Sequence, residues 1–98
     1  MYYFIISITL FFSVNVAQLY NYAYVHVIKN GEAQANVEVT FSYEYLGNVY
    51  TGYGTTNKYG VTPAMPFDSD VEYIVAVVDG YSYTIWNYGK YNHKYVHQ

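Results

Sequence analysis

This sequence predicts an all-β chain of about seven short strands packed as an antiparallel sandwich, and three observations carry the prediction. Tyrosine, valine and threonine, which favour pleated half-buried surfaces, are abundant: aromatics make up 22% and there are sixteen tyrosines. Strong helix formers are scarce and form no sustained run. Turn residues punctuate the chain at short, regular intervals. Ninety-eight residues suffice for one domain with a single core.

Residues 19–28, LYNYAYVHVI, are rich in β-formers and run into Asn30-Gly31, the strongest two-residue hairpin signal in the chain. From Ala35 the alternation is clear. Ala35, Val37, Val39, Phe41, Tyr43 and Tyr45 share one parity, against Asn36, Glu38, Thr40, Ser42 and Glu44, the pattern of a half-buried strand. Leu46-Gly47-Asn48 turns the chain into VYTGYGTT (49–56), a glycine-containing strand in which Gly52 or Gly54 offers a place for a bulge. Asn57-Lys58-Tyr59-Gly60 closes that strand.

Both prolines lie in VTPAMP (61–66), which restricts this segment to an edge strand or an extended crossing. Phe67-Asp68-Ser69-Asp70 reads as a turn, and VEYIVAVV (71–78), the most β-branched stretch, as a central strand. Asp79-Gly80 turns again into YSYTIWNY (81–88). Gly89-Lys90 ends that strand, leaving YNHKYVHQ (91–98) as a last strand or a tail.

The succession VHVIKNGEAQANVEVTF, TTNKYG and YIVAVVDGY, over roughly residues 24–85, resembles the carboxypeptidase-regulatory-like and transthyretin-like group of immunoglobulin-like sandwiches. The resemblance implies a fold and an extracellular setting. It implies no reaction, because that scaffold serves adhesins, stalks and accessory domains alike. A related group, the pilin domains that form their own Lys–Asn isopeptide bond, makes Lys29 and Asn87 the one candidate pair. The carboxylate such a reaction needs is missing from the corresponding strand, where Val75, Ala76, Val77 and Val78 stand, so Lys29 is expected to be a solvated turn residue.

A net charge of −3 without any arginine argues against nucleic acid, whose phosphates require a basic patch. No cysteine is present, so neither a disulfide nor a cysteine metal site exists. His26, His93 and His97 raise the question of a metal, but on a strand His93 and His97 stand roughly 13 Å apart, and no metal or cofactor is expected. Hydrolase and nucleotide motifs are absent, and no catalytic residue is assigned. The tyrosines fall on both parities of almost every strand, a pattern of core packing plus a contact surface suited to proteins or glycans. None of the eight asparagines lies in an N-x-S/T acceptor.

The opening stretch MYYFIISITLFFSVNVAQ supports two readings. As a secretory signal it offers an apolar run and a small residue, Ala17, at a cleavage position, but no lysine or arginine before the run and Asn15 where a small residue belongs. It is too short and too often interrupted for a membrane span. As a strand it is better ordered. Phe4, Ile6, Ile8, Leu10, Phe12, Val14 and Val16 share one parity and Ser7, Thr9, Ser13 and Asn15 the other, a separation that random placement gives roughly 7% of the time.

Left uncovered, such a strand invites aggregation, so it needs a prepared groove. Placed in the next copy it generates a filament by donor-strand complementation, as in the archaeal extracellular threads and bundling pili that this sequence resembles. The sequence therefore predicts residues 1–18 as a donor strand and 19–98 as the acceptor sandwich of an extracellular, non-enzymatic filament subunit whose partners are copies of itself. The alternative is a secreted monomeric binding module released by cleavage near Ala17, and a third reading keeps the opening strand inside its own sandwich.

Overall fold

The computed structural model describes residues 19–98, so the donor-strand residues Phe4, Ile6, Ile8, Leu10, Phe12, Val14 and Val16 lie outside the described residues. The described chain is all-β, in eight strands: β1 (Tyr20–Lys29), β2 (Glu32–Ala33), β3 (Glu38–Tyr45), β4 (Asn48–Thr55), β5 (Met65–Asp68), β6 (Tyr73–Val78), β7 (Tyr81–Trp86) and β8 (Tyr91–His97). They form two sheets. The first holds β1, β2, β5 and β8, and the second runs β4-β3-β6-β7.

Three hairpins are set by their turn residues. Asn30-Gly31, Leu46-Gly47 and Asp79-Gly80 each place both central residues at positive φ, the conformation whose twist matches paired strands. Ile28 pairs with Ala33, Tyr45 with Asn48 and Val78 with Tyr81 around them. Asn and Asp tolerate this backbone, whereas Leu46 at φ 51° bears a cost of about 1 kcal/mol. Asn48 therefore belongs to β4 and not to the turn.

β1 is the centre of the first sheet. β8 runs beside Tyr22–Ile28 and overlaps the stretches that pair with β5 and with β2, so those two short strands share the opposite edge of β1. Between them Gly60 O accepts from Val27 N, Val61 bridges His26, and Thr62 N donates to Val25 O. The proline segment is thus an extended crossing that fills the gap. The residues 91–98 left open by the sequence form a strand, and it is parallel to β1 where every other pairing is antiparallel.

Two expectations are corrected. Phe67 and Asp68 lie in β5, opposite Asn21 and Tyr20, so the turn starts only at Ser69. Gly52 and Gly54 mark no bulge, because the β3–β4 register is continuous from Glu38↔Thr55 to Tyr45↔Asn48. Close approach accounts for Gly52, whose added Cβ would run into the Met65 thioether, whereas one on Gly54 would make only ordinary contacts with Thr62, Phe41 and Pro63.

Alternation sorts the faces as the sequence requires. Ala23, Val25 and Val27 of β1 meet Val39 and Phe41 of β3 and Ile74, Ala76 and Val78 of β6, all buried. Phe41 stands between Gly52 and Ala76, small residues that make room for its ring. β6 is central, as expected, with β3 and β7 on its flanks. It begins at Tyr73, because Val71 N is turned back onto Asp68 O.

Candidate functional site

Side-chain amides and hydroxyls fix the ends of the sandwich. Asn87 donates from Nδ2 to Ser69 O and Val71 O, at 3.0 and 2.8 Å, and accepts from Asn21 Nδ2 at 2.8 Å. Lys29 is eight residues further along β1 than Asn21, about 26 Å away at strand rise. The candidate isopeptide pair is therefore not brought together, and Asn87 is a clamp on the 69–71 turn. Asn92 ties the 87–90 loop through Tyr88 N, Gly89 O and Tyr22 O.

The two sheets do not meet edge to edge on one flank. β7 pairs only with β6 and β8 only with β1, so among the described residues each leaves one backbone edge without a strand partner. Between these edges lie two depressions. One of about 460 Å³ is lined by Lys29, Val78, Tyr81, Tyr83 and His97, and one of about 350 Å³ by Ile85, Trp86, Tyr88, Tyr91 and Lys94. Gln98 Nε2 crosses the seam at one end to Asp79 Oδ2, and the Asn92-bound loop closes the other. Tyr83 and Ile85 point into it, sharing the parity of the core face.

The opposite flank carries a depression of about 610 Å³ walled by Tyr20, Tyr22, Tyr43, Tyr50, Met65 and Asp68. Tyr43 and Tyr50 stack at 5.0 Å, and Tyr43 Oη donates to Asp68 Oδ2 at 3.4 Å. Burial and then the neighbouring Asp68 charge push the Tyr43 phenol above its ordinary range. These rings and one carboxylate can take the apolar face and a hydroxyl of a small polar ligand.

The outer face of the first sheet is an aromatic ladder. The register sets Tyr22 beside Tyr91, Tyr24 beside His93, and His26 beside Tyr95. Their rings stack at 6.0, 4.7 and 4.3 Å. Diagonally, His26 Nε2 and His93 Nδ1 are 2.9 Å apart. His97 sits beside Ile28, beyond this group. Burial first, and His93 second, hold the His26 imidazole below its ordinary pKa. Among the described residues no group of three or more His, Cys, Asp or Glu side chains is placed to hold a metal.

Sequence reasoning missed both the seam and the ladder. A signal for the ladder was present: Tyr22, Tyr24 and His26 repeat every second residue, as do Tyr91, His93 and Tyr95, so two strands offered matching aromatic faces. No comparable local signal marks the seam. No helix long and apolar enough to cross a membrane occurs among the described residues. Neither a protein-family model, nor a characterised protein, nor a solved structure matches this chain.

Proposed function

We propose that the chain is a non-enzymatic structural subunit of an extracellular filament, in which residues 4–18 of one copy run as a donor strand along the β7–β8 seam of the next. The observation that carries this reading is the seam itself. Two facing sheet edges, of six and seven residues, leave backbone donors and acceptors on both sides of a trough in which Tyr81, Tyr83, Ile85 and Trp86 alternate with polar and charged residues such as Lys29, His97 and Lys94. An added strand satisfies such edges with main-chain hydrogen bonds and fills the trough with alternate side chains. Phe4, Ile6, Ile8, Leu10, Phe12, Val14 and Val16 supply that alternation.

Direction supports a partner in trans. β1 starts beside the 69–71 turn and the 87–90 loop, where Ser69 N bonds Leu19 O and Tyr22 N bonds Lys90 O. A chain extended backwards along β1 leaves the sandwich at this end and reaches another copy without reversing. One head-to-tail contact, repeated, gives an open polymer. The hydroxyl-rich, sparsely charged composition and the resemblance to extracellular sandwiches support an exterior location.

The test is substitution on the two faces of the opening segment in the full chain. Ile8→Asp and Leu10→Asp abolish high-molecular-weight particles in light scattering and electron microscopy while the far-ultraviolet spectrum of the sandwich persists, and Ser7→Asp retains them. Equal effects on both faces contradict the proposed register. A second reading, a secreted monomeric module binding a glycan or protein, is favoured by the tyrosine-walled depression beside Asp68. Sequencing the N-terminus of the natural protein separates the two, since a start at Gln18 or Leu19 removes the donor strand.

A further inference from the structure

His26 and His93 are 67 residues apart in sequence and meet only because β8 lies parallel to β1 in the register Tyr24↔His93 and His26↔Tyr95. Each imidazole has a phenol ring against one face. Tyr24 lies 9° from the plane of His93, and Tyr95 19° from that of His26. Such stacking fixes the ring planes and leaves the nitrogens at the ring edges accessible. The two imidazoles are themselves tilted by 44°, and their facing nitrogens lie at hydrogen-bond distance on the outer face of the sheet.

We propose that His26 Nε2 and His93 Nδ1 form a two-nitrogen chelate for a square-planar or tetragonal divalent metal, Cu(II) above all, stapling the edge strand β8 to β1. The spacing, that of a hydrogen bond in the metal-free pair, also fits a right-angled chelate. Two imidazole nitrogens bound at the usual ~2.0–2.1 Å lie about 2.9 Å apart at a right angle and about 3.3 Å apart at the tetrahedral angle. The separation here is 2.9 Å. Right-angled nitrogen pairs suit Cu(II) and Ni(II), and Cu(II) binds most strongly in the divalent series.

Proton balance is simple. In the metal-free pair one imidazole donates its N–H to the other, with the direction set by tautomer. Metal binding requires both facing nitrogens bare, with the protons on His26 Nδ1 and His93 Nε2. One ring therefore changes tautomer through solvent, and no net proton is released where both rings are neutral. The remaining coordination positions are filled by water, because His93 is exposed. The site rests on the β1–β8 pairing and does not require the filament reading, although His93 also lines the smaller depression of the seam, so the titration uses unassembled chains.

The experiment is titration of the full chain with Cu(II) and with Zn(II) at pH 7.5 in a non-coordinating buffer. It is followed by calorimetry and electron paramagnetic resonance, with His26→Asn, His93→Asn and His97→Asn in parallel. The expected result is one Cu(II) per chain, bound more tightly than Zn(II), with a tetragonal two-nitrogen spectrum and a raised Tm. His26→Asn and His93→Asn each weaken binding about tenfold or more and remove the Tm rise, while His97→Asn changes neither. Circular dichroism of each variant establishes folding, and His93→Asn, on the exposed edge strand, carries the test if His26→Asn unfolds. Unchanged affinity and spectrum in the folded His93 variant, tighter Zn(II) than Cu(II), or absence of binding at millimolar metal overturns the site.

Discussion

Gly60→Ala probes how closely the 57–60 turn is pressed against β1. Gly60 has φ +77°, where an L side chain costs about 1–2 kcal/mol. Its added Cβ would lie 2.8 Å from Val27 O, 3.0 Å from Ala33 Cβ and 3.1 Å from Gln34 N. Val27 O and Gln34 N are backbone atoms bonded to each other, and Gly60 O accepts from Val27 N, so none of them moves alone. Overpacking of this kind adds about 1–3 kcal/mol.

Reduced freedom of the unfolded chain returns about 0.4–1 kcal/mol, which leaves a net loss of about 2–4 kcal/mol. Gly47→Ala is the matched control, with φ +80° and nothing within 4 Å of its Cβ, so it loses only about 1 kcal/mol. Urea denaturation gives both values. By heat, the loss is about 10–25 °C in Tm for Gly60→Ala and about 5 °C for Gly47→Ala in a domain of this size. Losses equal within about 0.5 kcal/mol would refute the close approach at Gly60.

Other outcomes follow from single residues. Asn87→Ala removes three side-chain hydrogen bonds and strands two half-buried carbonyls, so it lowers stability by about 2–3 kcal/mol in the same denaturation assay. Leu46→Asn relieves a positive φ at a site 82% exposed and raises stability by about 0.5–1 kcal/mol. Because the His26 pKa is depressed by folding, the unfolded chain binds more protons near and below pH 6.5. Stability is therefore full above that pH and lost as pH falls through the folded-state value. Tm measured between pH 8 and pH 5 follows this course, and His26→Asn flattens it.

What was legible in the sequence was local. Asn30-Gly31 and Asp79-Gly80 announced their hairpins, and the parity of Val39, Phe41 and Tyr43 announced the buried face of β3. Residues 71–78 read as central because they are the most β-branched stretch of the chain, and β6 is paired on both edges, by β3 and β7. The failures were non-local. Gly52 looked like a bulge because its actual reason, Met65 of β5, approaches from the other sheet.

Asp68 looked like turn chemistry because nothing in its neighbourhood of sequence reveals that Tyr43 Oη reaches it. The three histidines were weighed by spacing along one strand, where His93 and His97 are too far apart. The relevant neighbour of His93 is His26, joined by a parallel register that no local pattern specifies. The β7–β8 seam was hidden for the same reason. An open edge is a property of the whole sheet order and not of any segment in it.

The most direct test of the filament account is disulfide trapping, which the absence of cysteine makes unambiguous. Full-length chains carrying Ile6→Cys, Ile8→Cys or Leu10→Cys are mixed with chains carrying Tyr83→Cys in the seam, or Tyr59→Cys on the opposite edge of β1, and oxidised under assembly conditions. The expected product is an inter-chain disulfide between Tyr83→Cys and at least one donor position, with none to Tyr59→Cys. Equal trapping at both sites, none at position 83, or a doubly substituted chain that closes the bond only within itself contradicts the donor-strand contact.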